Sequence, residues 1–190
     1  MSHEVWLIRH GATEWSVSGQ HTGSTDIPLL AEGEEAARGL ARRLAGVEFA
    51  RVLTSPLQRA RRTAELAGFG DRLEINDDLR EWEYGDYEGR TTPDIRDERS
   101  GWTIWSDGAP AGEMAADVGA RVDRVIEDVR RTDGNVAIVA HGHLLRVLGA
   151  RWCGWPPEDG RHLALGTAAL SALGYERETP VIVLWNDGPG

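Results

Sequence analysis

The sequence predicts an α/β protein: a three-layer α/β/α sandwich around a mostly parallel sheet, with a small inserted lid segment at roughly residues 85–115. Three observations lead there. Short apolar runs of strand length, "VWLI" (5–8), "RVLTS" (51–55) and "NVAIVA" (135–140), recur along the chain. Amphipathic stretches of helical period lie between and after them, and strands alternating with helices pair in parallel. Each of the three runs also ends in polar groups that a plain turn would not need. At 190 residues the chain fits one domain with insertions, so a single domain over 1–190 is expected.

In chain order, "VWLI" is a buried strand, and "LAEGEEAARGLARRLAG" (30–46) spaces its apolar positions as a helix. After the strand at 51–55, "SPLQRARRTAELAG" (55–68) offers a Ser cap, a Pro at the first helical position and a closing Gly. "LEIN" (73–76) is a short extended piece, and "LREWEYGDYEG" (79–89) is rich in glycine and acid. The chain is then irregular or weakly helical to "DGAPAGE" (107–113). Glu113 to Arg131 forms a longer helix. "NVAIVA" is the clearest buried strand, and "HGHLLRVLGARWCG" (141–154) leaves it as a helix. "AALSALGYE" (168–176) and "PVIVLW" (180–185) close the sheet.

Composition excludes several classes. A net charge of −10 argues against nucleic acid and anionic membranes, which require a basic surface. No apolar stretch is long enough to cross a bilayer, and the apolar part of "MSHEVWLIRH" is too short for a signal peptide, so a cytoplasmic protein is expected. The single cysteine, Cys153, cannot form an internal disulfide and reads as a buried helix-end residue. Any anionic ligand must therefore be met by local positive charge.

The three strand exits supply it. "IRHG", "TSPLQRAR" and "AHGH" bring Arg9, His10, Arg59, His141 and His143 towards one crevice if their strands are neighbours, at the carboxyl edge where such sheets bind ligands. Arg59 falls in the first turn of its helix, where unpaired N–H groups also favour an anion. Taken singly, a His or Arg at a strand end is more often a satisfied structural group. Three such exits together point to an anion site, phosphate above all, which arginine grips with paired hydrogen bonds.

With these motifs the sequence resembles the histidine phosphatase, or phosphoglycerate-mutase-like, superfamily over nearly its whole length. The matching segments are Arg9-His10-Gly11 followed by Thr13 and Glu14, then "SPLQRA", "LREWEYG" and His141-Gly142. "EYGDYEG" followed by "GWTIWSDGAPAGE" resembles the branch of acid phosphatases and sedoheptulose bisphosphatases. The chain departs from the common pattern at Ala12 and Met114.

The resemblance implies that His10 attacks phosphorus and is transiently phosphorylated, with Arg9, Arg59 and His141 on the non-bridging oxygens and no metal or other cofactor. It assigns the general acid to Glu81, whose donation near neutrality calls for burial beside Trp82 or Tyr84. Glu83, Asp86 and Glu88 read instead as a solvated acidic loop. Substrate contacts are expected from Gly11, Thr13, Ser16, Thr22, Gly23 and Gly142. Trp102 and Trp105 belong to the segment overhanging the site, where they anchor it rather than stack on substrate.

The expected partner is a small-molecule phosphate ester, a sugar phosphate or similar metabolite; a homodimer or higher oligomer stays open. Three other readings compete. A cofactor-dependent mutase needs a longer closing tail than "WNDGPG". A metallohydrolase built on "HGH" would want an acid at position 145, which is Leu145. A non-catalytic phospho-ligand module would not need His10 and Glu81 together.

Overall fold

The computed structural model describes residues 4–189. Six strands form one sheet: β1 (Val5–Arg9), β2 (Phe49–Thr54), β3 (Leu73–Ile75), β4 (Asn135–Ala140), β5 (Leu170–Glu176) and β6 (Thr179–Asp187). Their order is β3-β2-β4-β1-β5-β6. The first four run parallel, while β5 is antiparallel to β1 and β6 to β5. The sheet is thus mostly parallel, with a hairpin closing one edge, and β2, β4 and β1 are adjacent.

Side chains alternate along the strands and divide the core in two. Leu7, Leu53, Val136, Ile138 and Ala140 face one way, against the apolar sides of α6 (Ala115–Arg130) and α7 (Gly142–Trp152). Ile8, Val52, Ala137 and Val139 face the other, against Leu40 of α2 (Ala31–Arg43) and Ala60 and Ala64 of α3 (Gln58–Ala64). Helices cover both faces, which makes the three layers. Between β1 and α2 lies α1 (Glu14–Ser18), and between β3 and α6 lie α4 (Thr92–Glu98) and α5 (Ile104–Asp107). Threonines cap all three: Thr13, Thr91 and Thr103 each accept an N–H of the first turn. An antiparallel bridge from Gln20 to Thr91 ties the first of these segments to the second.

The start of α3 differs from the sequence reading. Ser55 does not cap it and Pro56 is not its first residue. The helix begins at Gln58, whose N–H is held by Asp26 Oδ1 at 2.8 Å. Ser55 is drawn away because its hydroxyl pairs with His141, a contact across the sheet that no local pattern encodes. After Ala64 the chain widens into a turn, Glu65–Phe69, with Gly68 at φ 92°. Cys153 ends α7 as expected but is half-buried rather than buried. Among the described residues, no helix is long and apolar enough to cross a membrane.

Candidate active site

The carboxyl ends of β1, β2 and β4 meet on one edge of the sheet. His10 continues the pairing of its strand, its N–H donating to Ala140 O at 3.0 Å, and Ser55 does the same towards Val139 O at 3.1 Å. Gly11 then lets the chain leave β1 against α2: a Cβ there would lie 2.3 Å from the Gly33 carbonyl oxygen. This close approach, rather than an unusual backbone angle, is what requires glycine.

His10 is 5% exposed. Its Nδ1 lies 2.7 Å from the Gly11 carbonyl, and because a carbonyl only accepts, the proton sits on Nδ1 and the lone pair on Nε2. Burial, then Arg9 and Arg59, push its pKa well below the ordinary imidazole value, so the ring is neutral.

His141, wholly buried, lies with its ring centroid 5.2 Å from that of His10. Arg59 Nε donates to its Nδ1 at 3.2 Å, which leaves the ring proton on Nε2 to donate to Ser55 Oγ at 2.7 Å. Burial and the neighbouring cations hold this ring neutral too.

Arg59 spends most of its other donors on a loop. Nη1 binds Thr25 O at 2.9 Å, and Nη2 binds Thr22 O at 3.0 Å and Gly23 O at 2.9 Å. The same loop is held from its N–H side by Glu88, whose carboxylate accepts from Gly23 at 2.9 Å and Thr25 at 3.0 Å. Glu88 is therefore half-buried and structural, not part of a solvated acidic loop; Glu83 and Asp86 are exposed as expected.

Arg9 donates Nη1 to Leu165 O at 2.5 Å, and its Nε is buried with no hydrogen-bond partner.

The Glu81 carboxylate occupies the start of α7. Oε1 accepts from Trp82 N and Leu144 N, both at 2.9 Å, and Oε2 accepts from His143 N at 3.0 Å. Glu81 is buried, 8% exposed, beside the buried Trp82 and Tyr84 as expected, and its carboxylate also meets backbone N–H donors. The helix ends that the sequence marks as anion sites are already filled by side chains of this chain, Glu81 at α7 and Asp26 at α3.

These groups border a cavity of about 380 Å³. Of the expected residues, Arg9, His10, Ser16, Thr22, Glu81 and Gly142 line it. Arg59, His141, Gly11, Thr13 and Gly23 stand behind the wall. Thr13 is buried and committed to capping α1, and Gly23 packs against Trp82 O, where a Cβ would come within 2.6 Å.

Most of the opposite wall consists of residues that no motif in the sequence marks. His21 stacks over Tyr84, ring centroids 4.7 Å apart, and Tyr84 Oη lies 2.6 Å from His143 Nδ1. Burial drives the Tyr84 phenol pKa well above its usual value and that of His143 well below, so the phenol donates and His143 carries its proton on Nε2. His21 is pushed down to about 4, chiefly by burial. Arg146, three residues along α7 from His143, lays its guanidinium 4.6 Å from the Trp105 ring. The i, i+3 spacing of "HLLR" was the available signal, since both residues then share one helix face. Trp102 and Trp105 line the cavity and are also anchored, Trp102 by its Nε1–H on Gly108 O at 2.9 Å. Among the described residues, no group of three or more His, Cys, Asp or Glu side chains is arranged to hold a metal ion.

Comparison with known proteins bears on this arrangement at three levels. An acid phosphatase of Mycobacterium tuberculosis (strain ATCC 25618 / H37Rv) is 38% identical over 180 residues, covering 92% of this chain and 88% of its own. The sedoheptulose 1,7-bisphosphatase of Saccharomyces cerevisiae (strain ATCC 204508 / S288c) is 37% identical, over 78% of this chain and 66% of its own. The solved structure of an open reading frame product from Mycobacterium tuberculosis superposes with a TM-score of 0.94 at 34% identity, covering 99% of each chain. Residues 5–188 match the histidine phosphatase superfamily (branch 1), so the neutral histidine at the end of β1 and the arginines around it stand in a chain that belongs to that family.

Proposed function

We propose that the protein hydrolyses small phosphate monoesters, sugar phosphates or similar metabolites, through a phosphohistidine on Nε2 of His10, with Glu81 as general acid and then general base. The observation that carries this reading is the His10 ring itself: its proton is fixed on Nδ1 by Gly11 O, and the residue lines a cavity shared with Arg9 and Glu81.

In the first step Nε2 forms a bond to phosphorus while the ester P–O bond breaks, and Glu81 gives its proton to the departing alkoxide. In the second, Glu81 takes a proton from water, which attacks the phosphohistidine and releases inorganic phosphate. Alignment and charge do most of this work in phosphoryl transfer. Arg9, which lines the cavity, is the direct grip on a phosphoryl oxygen, and the Arg59–His141 pair lends its charge from behind His10. Charge stabilisation by arginine leaves no step that calls for a metal ion. Relatives named as phosphatases, one of them a sugar bisphosphatase, support hydrolysis and this substrate class.

The test is a phosphate-release screen over sugar phosphates, bisphosphates, phosphoglycerates, nucleotides and phosphopeptides, run with chelator present. Release from a subset of small esters is expected, together with an acid-labile phosphoenzyme in quenched reactions. His10→Ala should lose both, by at least about 10³-fold in rate, while still binding ester. Turnover surviving in His10→Ala, or dependence on added metal, would overturn the mechanism. Efficient isomerisation of 3-phosphoglycerate with a bisphosphoglycerate primer and little phosphate release would replace hydrolysis by mutase chemistry.

A further inference from the structure

Glu81 lies in a stretch of irregular chain between two short turns, Asp77–Leu79 and Gly85–Tyr87. No helix or strand fixes its backbone, yet a proton donor must be held to within about half an ångström of its working position. Behind it opens a second cavity of about 240 Å³, which Glu81 shares with Glu113 and Arg121.

Arg121 reaches this segment from the middle of α6 and is only 9% exposed. All five of its guanidinium N–H groups are used. Nη1 donates to Asp78 O at 2.8 Å and Arg80 O at 2.6 Å, and Nη2 to Glu81 O at 3.0 Å. The remaining two meet Glu113: Nε to Oε1 at 2.8 Å and Nη2 to Oε2 at 3.0 Å. Glu113 in turn grips the next residues. Its Oε2 accepts from Glu83 N at 2.9 Å, its N–H donates to Glu83 O at 2.9 Å, and its carbonyl accepts the Trp82 indole N–H at 2.8 Å. The backbone of Glu81 is thus tied to α6 while its carboxylate is tied to the start of α7. Only a planar fork with five donors can span three carbonyls and a carboxylate at once.

We propose that Arg121, braced by Glu113, is a positioning residue that holds Glu81 in register with the leaving-group oxygen. The proposal rests on the reading of Glu81 as general acid. It separates proton donation from the rest of catalysis, since Arg121 does not itself line the first cavity and meets that wall only through the backbone of Glu81.

The experiment compares kcat/KM, which reports the steps up to leaving-group release, for two esters. The alkoxide of glycerol phosphate needs a proton to leave, whereas the phenolate of p-nitrophenyl phosphate does not. Arg121→Met is expected to lose about 30- to 100-fold on glycerol phosphate, a large part of what a general acid contributes, and only a few-fold on p-nitrophenyl phosphate. The same split, larger, is expected of Glu81→Gln. Should Arg121→Met not fold, Arg121→Lys keeps the charge but cannot span three carbonyls, and it should show the split in smaller measure. Equal losses on both esters, or no loss on either in a folded variant, would overturn the proposal. Failure of the phosphatase reading looks different: the unmutated protein would then release phosphate from neither ester.

Discussion

The Gly11 carbonyl fixes the His10 ring with its proton on Nδ1, so one backbone oxygen, 2.7 Å away, decides which nitrogen faces substrate. Burial and two arginines then keep that nitrogen unprotonated well below pH 6.5. The ordinary weakness of histidine as a nucleophile in mild acid is removed before any ligand arrives. The loop at Thr22–Thr25 is held in a comparable way, with Arg59 on its carbonyls and Glu88 on its N–H groups. Removing either partner leaves the other's work undone, because half-buried loop amides would lose a charged acceptor. Glu88→Ala should therefore cost about 1–3 kcal/mol in urea unfolding and raise KM, since Thr22 lines the cavity. Glu83→Ala, at an exposed neighbour, should stay within about 0.5 kcal/mol. Equal effects from the two would show that Glu88 is merely another surface acid.

At the scale of elements, the exit of β1 and the first turn of α2 touch backbone to backbone. Besides the contact at Gly11, a Cβ on Gly33 would lie 2.3 Å from Ala12 O. That contact brings α2 down on the turn that carries His10, and it leaves no room for even one methyl group. Gly11→Ala should cost about 1–3 kcal/mol by overpacking, and it should lower kcat as well, because the displaced atom is the carbonyl that orients His10. Gly39 lies in the same helix, where an added Cβ would meet nothing within 4 Å, so Gly39→Ala should be neutral or stabilise by up to about 1 kcal/mol through helix propensity. Thermal melts and steady-state kinetics of the two variants check this directly. A Gly11→Ala protein as stable and active as its Gly39→Ala counterpart would mean the two chain segments part easily.

Over the whole molecule, what the sequence made legible was what side-chain identity determines. The alternation of Val136, Ile138 and Ala140 against Ala137 and Val139 reads directly as a strand buried on both faces, and the helices announce themselves by spacing. What stayed hidden depends on backbone groups, which every residue carries alike. The partners of Arg59 include three carbonyls, those of the Glu81 carboxylate are three N–H groups, and those of Arg121 include three more carbonyls. The same burial that shapes the site also sets a pH limit on the fold. His10 and His141 are neutral when folded, their pKa values depressed by burial first and then by arginines, whereas in the unfolded chain each takes a proton near pH 6.5. Below that pH the unfolded state binds more protons, so the stability present above it is lost as pH falls. Each buried imidazole should contribute a slope of about 1.4 kcal/mol per pH unit between roughly pH 6 and 5. Urea unfolding across that window should show the loss, and His10→Gln should flatten the slope by one imidazole's share. An unchanged slope in that variant would mean that His10 is protonated in the folded protein, and a protonated His10 has no lone pair to offer phosphorus.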